Sequence, residues 1–220
     1  MARLARVVLP GLPHHVTQRG NRRQKVFFGD DDYLAYKALL ADAAAKAGTA
    51  VWAYCLMPNH VHLILVPSHG DGLRATLADA HRRYTGRINA RKKWTGHLWQ
   101  GRFGSVATDE AHLVHAVRYV SLNPVRARLV KRARDWRWSS VRAQMRGTDD
   151  DLVTVAPVAE RVDDFAALLA GGEDSARTKA LRAAETVGRP LGDAAWFDRI
   201  EAVLGRILRP QKRGPKPKLQ

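Results

Sequence analysis

The chain has one cysteine, Cys55, in 220 residues. A lone thiol excludes an intrachain disulfide and a Cys-rich zinc site, and its apolar surroundings make it a small core residue. No apolar run is long enough to span a bilayer, and the N-terminus carries no signal-peptide pattern. No membrane partner is therefore expected, and the expected location is the cytoplasm. Acidic residues are scarce as well. There are 21 Asp and Glu against 37 Lys and Arg, a formal net charge of +16, which favours a polyanionic partner.

The charge is unevenly placed. Residues 1–146 hold 25 Lys and Arg against 9 Asp and Glu, residues 147–205 hold 6 against 12, and the last fifteen hold 6 against none. The expected organisation is a basic domain over 1–146, a small acidic and mostly helical region over 147–208, and a disordered basic tail over 209–220.

Periodicity supplies the elements. A strand is expected over 14–19, a helix from Asp30–Asp32 to about Lys46, a strand over 51–56 and, after a Pro58-Asn59 turn, a strand through His60 and His62. A helix over about 72–92, a strand over 102–108 and a helix from Asp109 to Leu122 follow, with Asn123-Pro124 as the stop. The order β-α-β-β-α-β is the ferredoxin-like pattern, an α+β fold whose antiparallel sheet carries helices on one face.

His60 and His62 stand two apart on a strand and so project from the same face. Neutral imidazoles so placed suit one metal ion, with Mg²⁺, Mn²⁺ and Zn²⁺ all open. Leu73, Leu77, Ala80, Tyr84 and Ile88 form one helical stripe. A tyrosine in such a stripe is ordinarily core. If the stripe packs near the histidines, however, its phenol faces the metal and becomes a candidate nucleophile. Arg82, Arg83, Arg87, Arg91, Lys92, Lys93 and Arg102 make the surroundings basic, as phosphate binding requires. Interleaved Trp94, His97, Trp99, Trp136 and Trp138 are candidates for stacking on unpaired bases or for the core.

Several ordered motifs carry a family resemblance. They are Pro13-His14-His15-Val16-Thr17-Gln18-Arg19-Gly20-Asn21-Arg22, then Met57-Pro58-Asn59-His60-Val61-His62, then Gly96-His97-Leu98-Trp99-Gln100-Gly101-Arg102-Phe103, then Tyr119-Val120-Ser121-Leu122-Asn123-Pro124-Val125-Arg126-Ala127. Together they resemble the REP-associated tyrosine transposases, single-tyrosine HUH enzymes of bacteria, over about residues 7–145. The resemblance implies that His60 and His62 hold a divalent ion, Mg²⁺ or Mn²⁺, and that Tyr84 attacks a phosphate of single-stranded DNA at hairpins formed by REP palindromes. A 5′-phosphotyrosine link and a free 3′-hydroxyl would form, and no nucleotide cofactor would be needed. The family's third metal ligand stands about one turn after the nucleophile. Four after Tyr84 is Ile88, which cannot ligate, so Asn89 and His81 are the candidates.

Arg19, Arg22 and Arg126 join the basic residues above as DNA contacts, with Arg213 and Lys216 in a tail that resembles a degenerate AT-hook. The protein would act as a monomer or homodimer, on the nucleoid when bound to DNA. A domesticated REP-hairpin binder without catalysis and an RNA-binding regulator are the alternatives.

Overall fold

A computed structural model describes residues 6–172 and 174–209. Its first half runs β1 (His14–Arg19), α1 (Asp30–Lys46), β2 (Thr49–Met57), β3 (His60–Pro67), α2 (Gly72–Lys92), β4 (Gly104–Ala107) and α3 (Glu110–Ser121). The strands form one antiparallel sheet in the order β2-β3-β1-β4. The expected α+β, ferredoxin-like sheet is therefore present.

Local chemistry explains the boundaries. Asp30, Asp31 and Asp32 occupy the first turn of α1, where acids complement the helix dipole, although the cap position itself is Gly29. The Asp32 carboxylate instead accepts from the Phe28 N–H at 2.8 Å and takes both arms of Arg91. Lys93, with φ of 54°, ends α2 in the left-handed region. Asp109 caps α3 by accepting from the His112 N–H. Asn123-Pro124 ends α3 as expected but also starts another turn, α4 (Asn123–Arg126), because proline is tolerated at the first positions of a helix.

The chain continues through α5 (Val141–Arg146), α6 (Ala156–Ala159), α7 (Phe165–Ala170), α8 (Ser175–Val187) and α9 (Ala194–Leu204). These elements change how the sheet is covered. Val16, Val61, Leu63 and Leu65 pack with Tyr36, Leu40, Leu73, Leu77, Tyr84 and Ile88 of α1 and α2. Ala53, Cys55, Met57, Ile64 and Val106 pack with Leu113, Ala116, Val117 and Val120 of α3, and with Leu181 and Ala184 of α8. Helices therefore cover both faces, whereas the sequence led us to expect one. The second face is covered by α3 and the acidic C-terminal region, whose apolar stripes the sheet period did not reveal. Among the described residues no helix is long and apolar enough to cross a membrane.

Candidate functional site

Strand alternation decides what each face can do. Val61, Leu63 and Leu65 point to α1 and α2, so His60, His62 and Ile64 point to the α3 side. On the adjacent strand Arg19, Thr17 and His15 stand opposite His60, His62 and Ile64 and share their face. The His60 and His62 rings are 4.9 Å apart. Asn59 Oδ1 lies 2.6 Å from His60 Nδ1, and His15 Nε2 lies 3.0 Å from His62 Nδ1. In both ligand candidates Nδ1 is thus engaged and Nε2 is left for an ion, the arrangement by which outer partners orient metal-binding imidazoles.

Burial pushes His60 down to about 4, with Arg19 adding to it, and His15 down to about 3, with Arg126 adding. Burial and the neighbouring histidines hold His62 well below its usual value. All three are neutral at pH 7, the form that ligates metal.

Glu185 reaches this face from α8. Burial raises its carboxyl to about 7. Its Oε1 is 3.3 Å from His15 Nδ1, yet the two are not aligned for a hydrogen bond, and both atoms are buried without a partner. His15, His62 and Glu185 lie close enough together to hold a cation, and Glu185 Oε1 is a buried oxygen without a hydrogen-bond partner that could serve as one of its ligands. His60, His62 and Glu185 line an open cleft of about 710 Å³ together with Arg19, Arg23 and Arg102.

The structure does not bring Tyr84 here. Its ring packs against Phe27, Tyr36 and Trp99 in the α1–α2 core, and its hydroxyl donates to the Val26 carbonyl at 2.7 Å. The sheet lies between it and the histidine face. Burial pushes its phenol far above the ordinary range, the reverse of activation. His81 and Asn89 are on the same wrong side. His81 shares a hydrogen bond with the Tyr36 hydroxyl at 2.9 Å and stacks on Trp99, while the Asn89 amide donates to the Gly96 carbonyl at 3.0 Å. The helix stripe showed that Tyr84 faces a sheet; it could not show which face.

A different tyrosine stands at the site. The Tyr119 ring on α3 lies 5.8 Å from both the His15 and the His62 rings. The Arg126 guanidinium sits 4.1 Å over it, and Arg182 Nε donates to its hydroxyl at 3.4 Å. Asn123 follows one turn later, its amide nitrogen buried without a partner. One signal could have found Tyr119: counted from it, the residue four on is an amide, whereas counted from Tyr84 it is Ile88.

The basic residues divide. Arg19 and Arg102 line the histidine cleft and Arg126 covers Tyr119. Arg22 lines a groove beside Trp94 on the other side. Arg83 is held by Asp42 and Asp79, and Arg91 by Asp32. Arg82 pairs with Asp79, Lys92 lies 4.7 Å over the Phe28 ring, Lys93 caps α2 and Arg87 is exposed. Arg213 and Lys216 lie outside the described residues. Trp99 and Trp138 are buried and Trp94 is exposed.

The profile of the family described as "Transposase IS200 like" matches residues 10–123. The chain belongs to that transposase family. A Haemophilus influenzae protein named as a REP-associated tyrosine transposase is 27% identical over 99 residues, 40% of this chain and 56% of the relative. The chain thus matches only about half the length of that curated relative. A REP-associated tyrosine transposase solved with a REP hairpin has a similar fold, with a TM-score of 0.58 and 22% identity, covering 70% of this chain and 92% of the other. The matched segment of this IS200-like transposase contains His60, His62, Tyr119 and Asn123.

Proposed function

We propose that this transposase cleaves and rejoins single-stranded DNA at hairpins through Tyr119. One observation carries the reading: Tyr119 shares the histidine face of the sheet, with its ring 5.8 Å from His62, while Tyr84 is buried on the opposite face. Arg126 and Arg182 bring guanidinium charge to Tyr119, where they can take phosphate oxygens. The Tyr119 oxygen attacks a backbone phosphorus and displaces the 3′-oxygen of the preceding nucleotide. The phenol loses its proton and the leaving oxygen gains one. A 5′-phosphotyrosine and a free 3′-hydroxyl result, and attack by a hydroxyl reverses the exchange, so no nucleotide is consumed.

His60 and His62 would hold a divalent ion, Mg²⁺ or Mn²⁺. Asn123, four residues after Tyr119, would be the third ligand that the family resemblance sets one turn after the nucleophile, and Glu185 would offer a carboxylate from α8. When bound, the ion would polarise the phosphate and stabilise its developing charge.

The test uses labelled single-stranded hairpins from beside the gene, with and without Mn²⁺. The expected result is a denaturation-resistant protein–DNA adduct that needs metal and is absent in Tyr119→Phe. An adduct that persists in Tyr119→Phe refutes the assignment of the nucleophile. Hairpin binding with no adduct under any metal favours the non-catalytic binder.

A further inference from the structure

His15 is buried between a candidate metal ligand and the candidate nucleophile. Its Nε2 lies 3.0 Å from His62 Nδ1. The two rings are nearly parallel, 8° apart in plane with 5.2 Å between centroids. The Tyr119 ring crosses both, at 76° to His15 and 75° to His62, with its centroid 5.8 Å from each. One side chain from β1 therefore meets the ligand from β3 and the phenol from α3.

Proton counting limits the role His15 can take. A neutral imidazole carries one proton, so one nitrogen donates and the other accepts. For His62 to present a bare Nε2 to an ion, its proton must be on Nδ1, where it points at His15. His15 Nε2 then accepts it, and the His15 proton is left on Nδ1. Glu185 Oε1 stands 3.3 Å from that nitrogen, an acceptor within reach of a small turn of the ring. Both nitrogens of His15 are thereby committed, and neither keeps a lone pair for a cation. Within the group His15, His62 and Glu185, His15 is the member that does not ligate.

We propose that His15 is a positioning residue with two separable tasks. Its Nε2 holds His62 in the tautomer that binds the ion, as outer partners do for metal-bound imidazoles. Its ring, paired with that of His62, is a rack that keeps the Tyr119 ring at a fixed distance from the ion's ligand. The hydrogen bond acts on metal affinity. The rack acts on chemistry, because a nucleophile misplaced by about 1 Å can lose about a hundredfold in rate. The inference rests on the reading of His60 and His62 as ligands and of Tyr119 as the nucleophile.

Two substitutions separate the tasks. His15→Gln puts an amide where Nε2 stood and removes the ring, whereas His15→Phe keeps a ring and removes the acceptor. Mn²⁺ affinity of the full chain is read by electron paramagnetic resonance without DNA, and the adduct rate is read on the hairpin as Mn²⁺ is raised. His15→Phe should bind Mn²⁺ roughly 10–100-fold more weakly, and its adduct rate should recover as Mn²⁺ is raised. His15→Gln should bind Mn²⁺ within about threefold of wild type but form adduct roughly tenfold more slowly, a loss that added Mn²⁺ does not restore. Unchanged Mn²⁺ affinity in His15→Phe refutes the first task, and an unchanged rate in His15→Gln refutes the second. If both variants lose affinity alike and the bound Mn²⁺ shows one coordinated nitrogen fewer, His15 is a ligand and the proposal is overturned. Should a variant fail to fold, nitrogen-15 spectra of the wild type with Mg²⁺ decide: the proposal requires the His15 proton on Nδ1 and is overturned by one on Nε2. His62→Ala keeps the two readings apart. If it binds Mn²⁺ like wild type, the ligand assignment itself fails; if it loses Mn²⁺ and neither His15 variant differs from wild type, the positioning role alone falls.

Discussion

Replacing Tyr84 with Phe should cost stability and spare chemistry. The ring that packs on Phe27, Tyr36 and Trp99 is kept, so apolar burial is almost unchanged. What goes is one buried hydroxyl and its 2.7 Å bond to the Val26 carbonyl. A neutral hydrogen bond contributes about 1 kcal/mol, and a buried acceptor left unpaired raises the loss to about 1–2 kcal/mol. For a chain of this length that lowers Tm by roughly 2–8 °C. Thermal melts of Tyr84→Phe and wild type measure this, and the adduct assay at a temperature well below both midpoints measures chemistry. Adduct formation should match wild type within about twofold. If Tyr84→Phe melts normally but forms no adduct, the sheet does not separate Tyr84 from the cleavage centre and the reasoning fails.

The Asp32–Arg91 pair sets an acid limit. Burial of Asp32 opposes ionisation, but the hydrogen bonds from Arg91 and Phe28 outweigh it and hold the carboxyl below its ordinary value. A depressed carboxyl contributes stability above the unfolded value of about 3.9, and that stability is lost as pH falls through the folded value. Asp32→Asn should therefore cost about 2 kcal/mol at pH 7 in denaturant titrations, with the gap to wild type closing below about pH 4; a gap independent of pH counts against the ion pair. Mn²⁺ at a hundred times its dissociation constant should stabilise wild type by about 2.7 kcal/mol. His60→Ala with His62→Ala should abolish that gain in thermal melts, whereas an unchanged gain would place the ion elsewhere.

Much of the framework was legible along the chain because it depends on local periods. The bounds of α1 and α2, the order of strands and helices, and the shared face of His60 and His62 all follow from neighbours a few residues apart. The same logic left β4 shorter than expected, at Gly104–Ala107, because flanking residues with strand-like composition form loop. Tyr84 misled for a definable reason. Its stripe is a true packing stripe, and every member is buried, but a stripe reports only that a helix face meets something apolar.

The sequence by itself determined that the chain is a basic α+β protein with two histidines side by side, since composition and period-two alternation need no partner. Only the tertiary structure decided which tyrosine joins them. His15, His62, Tyr119 and Glu185 come from β1, β3, α3 and α8, and no spacing links elements whose meeting depends on which face of the sheet each helix covers. That choice is made by burial of the two apolar clusters on opposite faces, a long-range balance that local pattern does not encode.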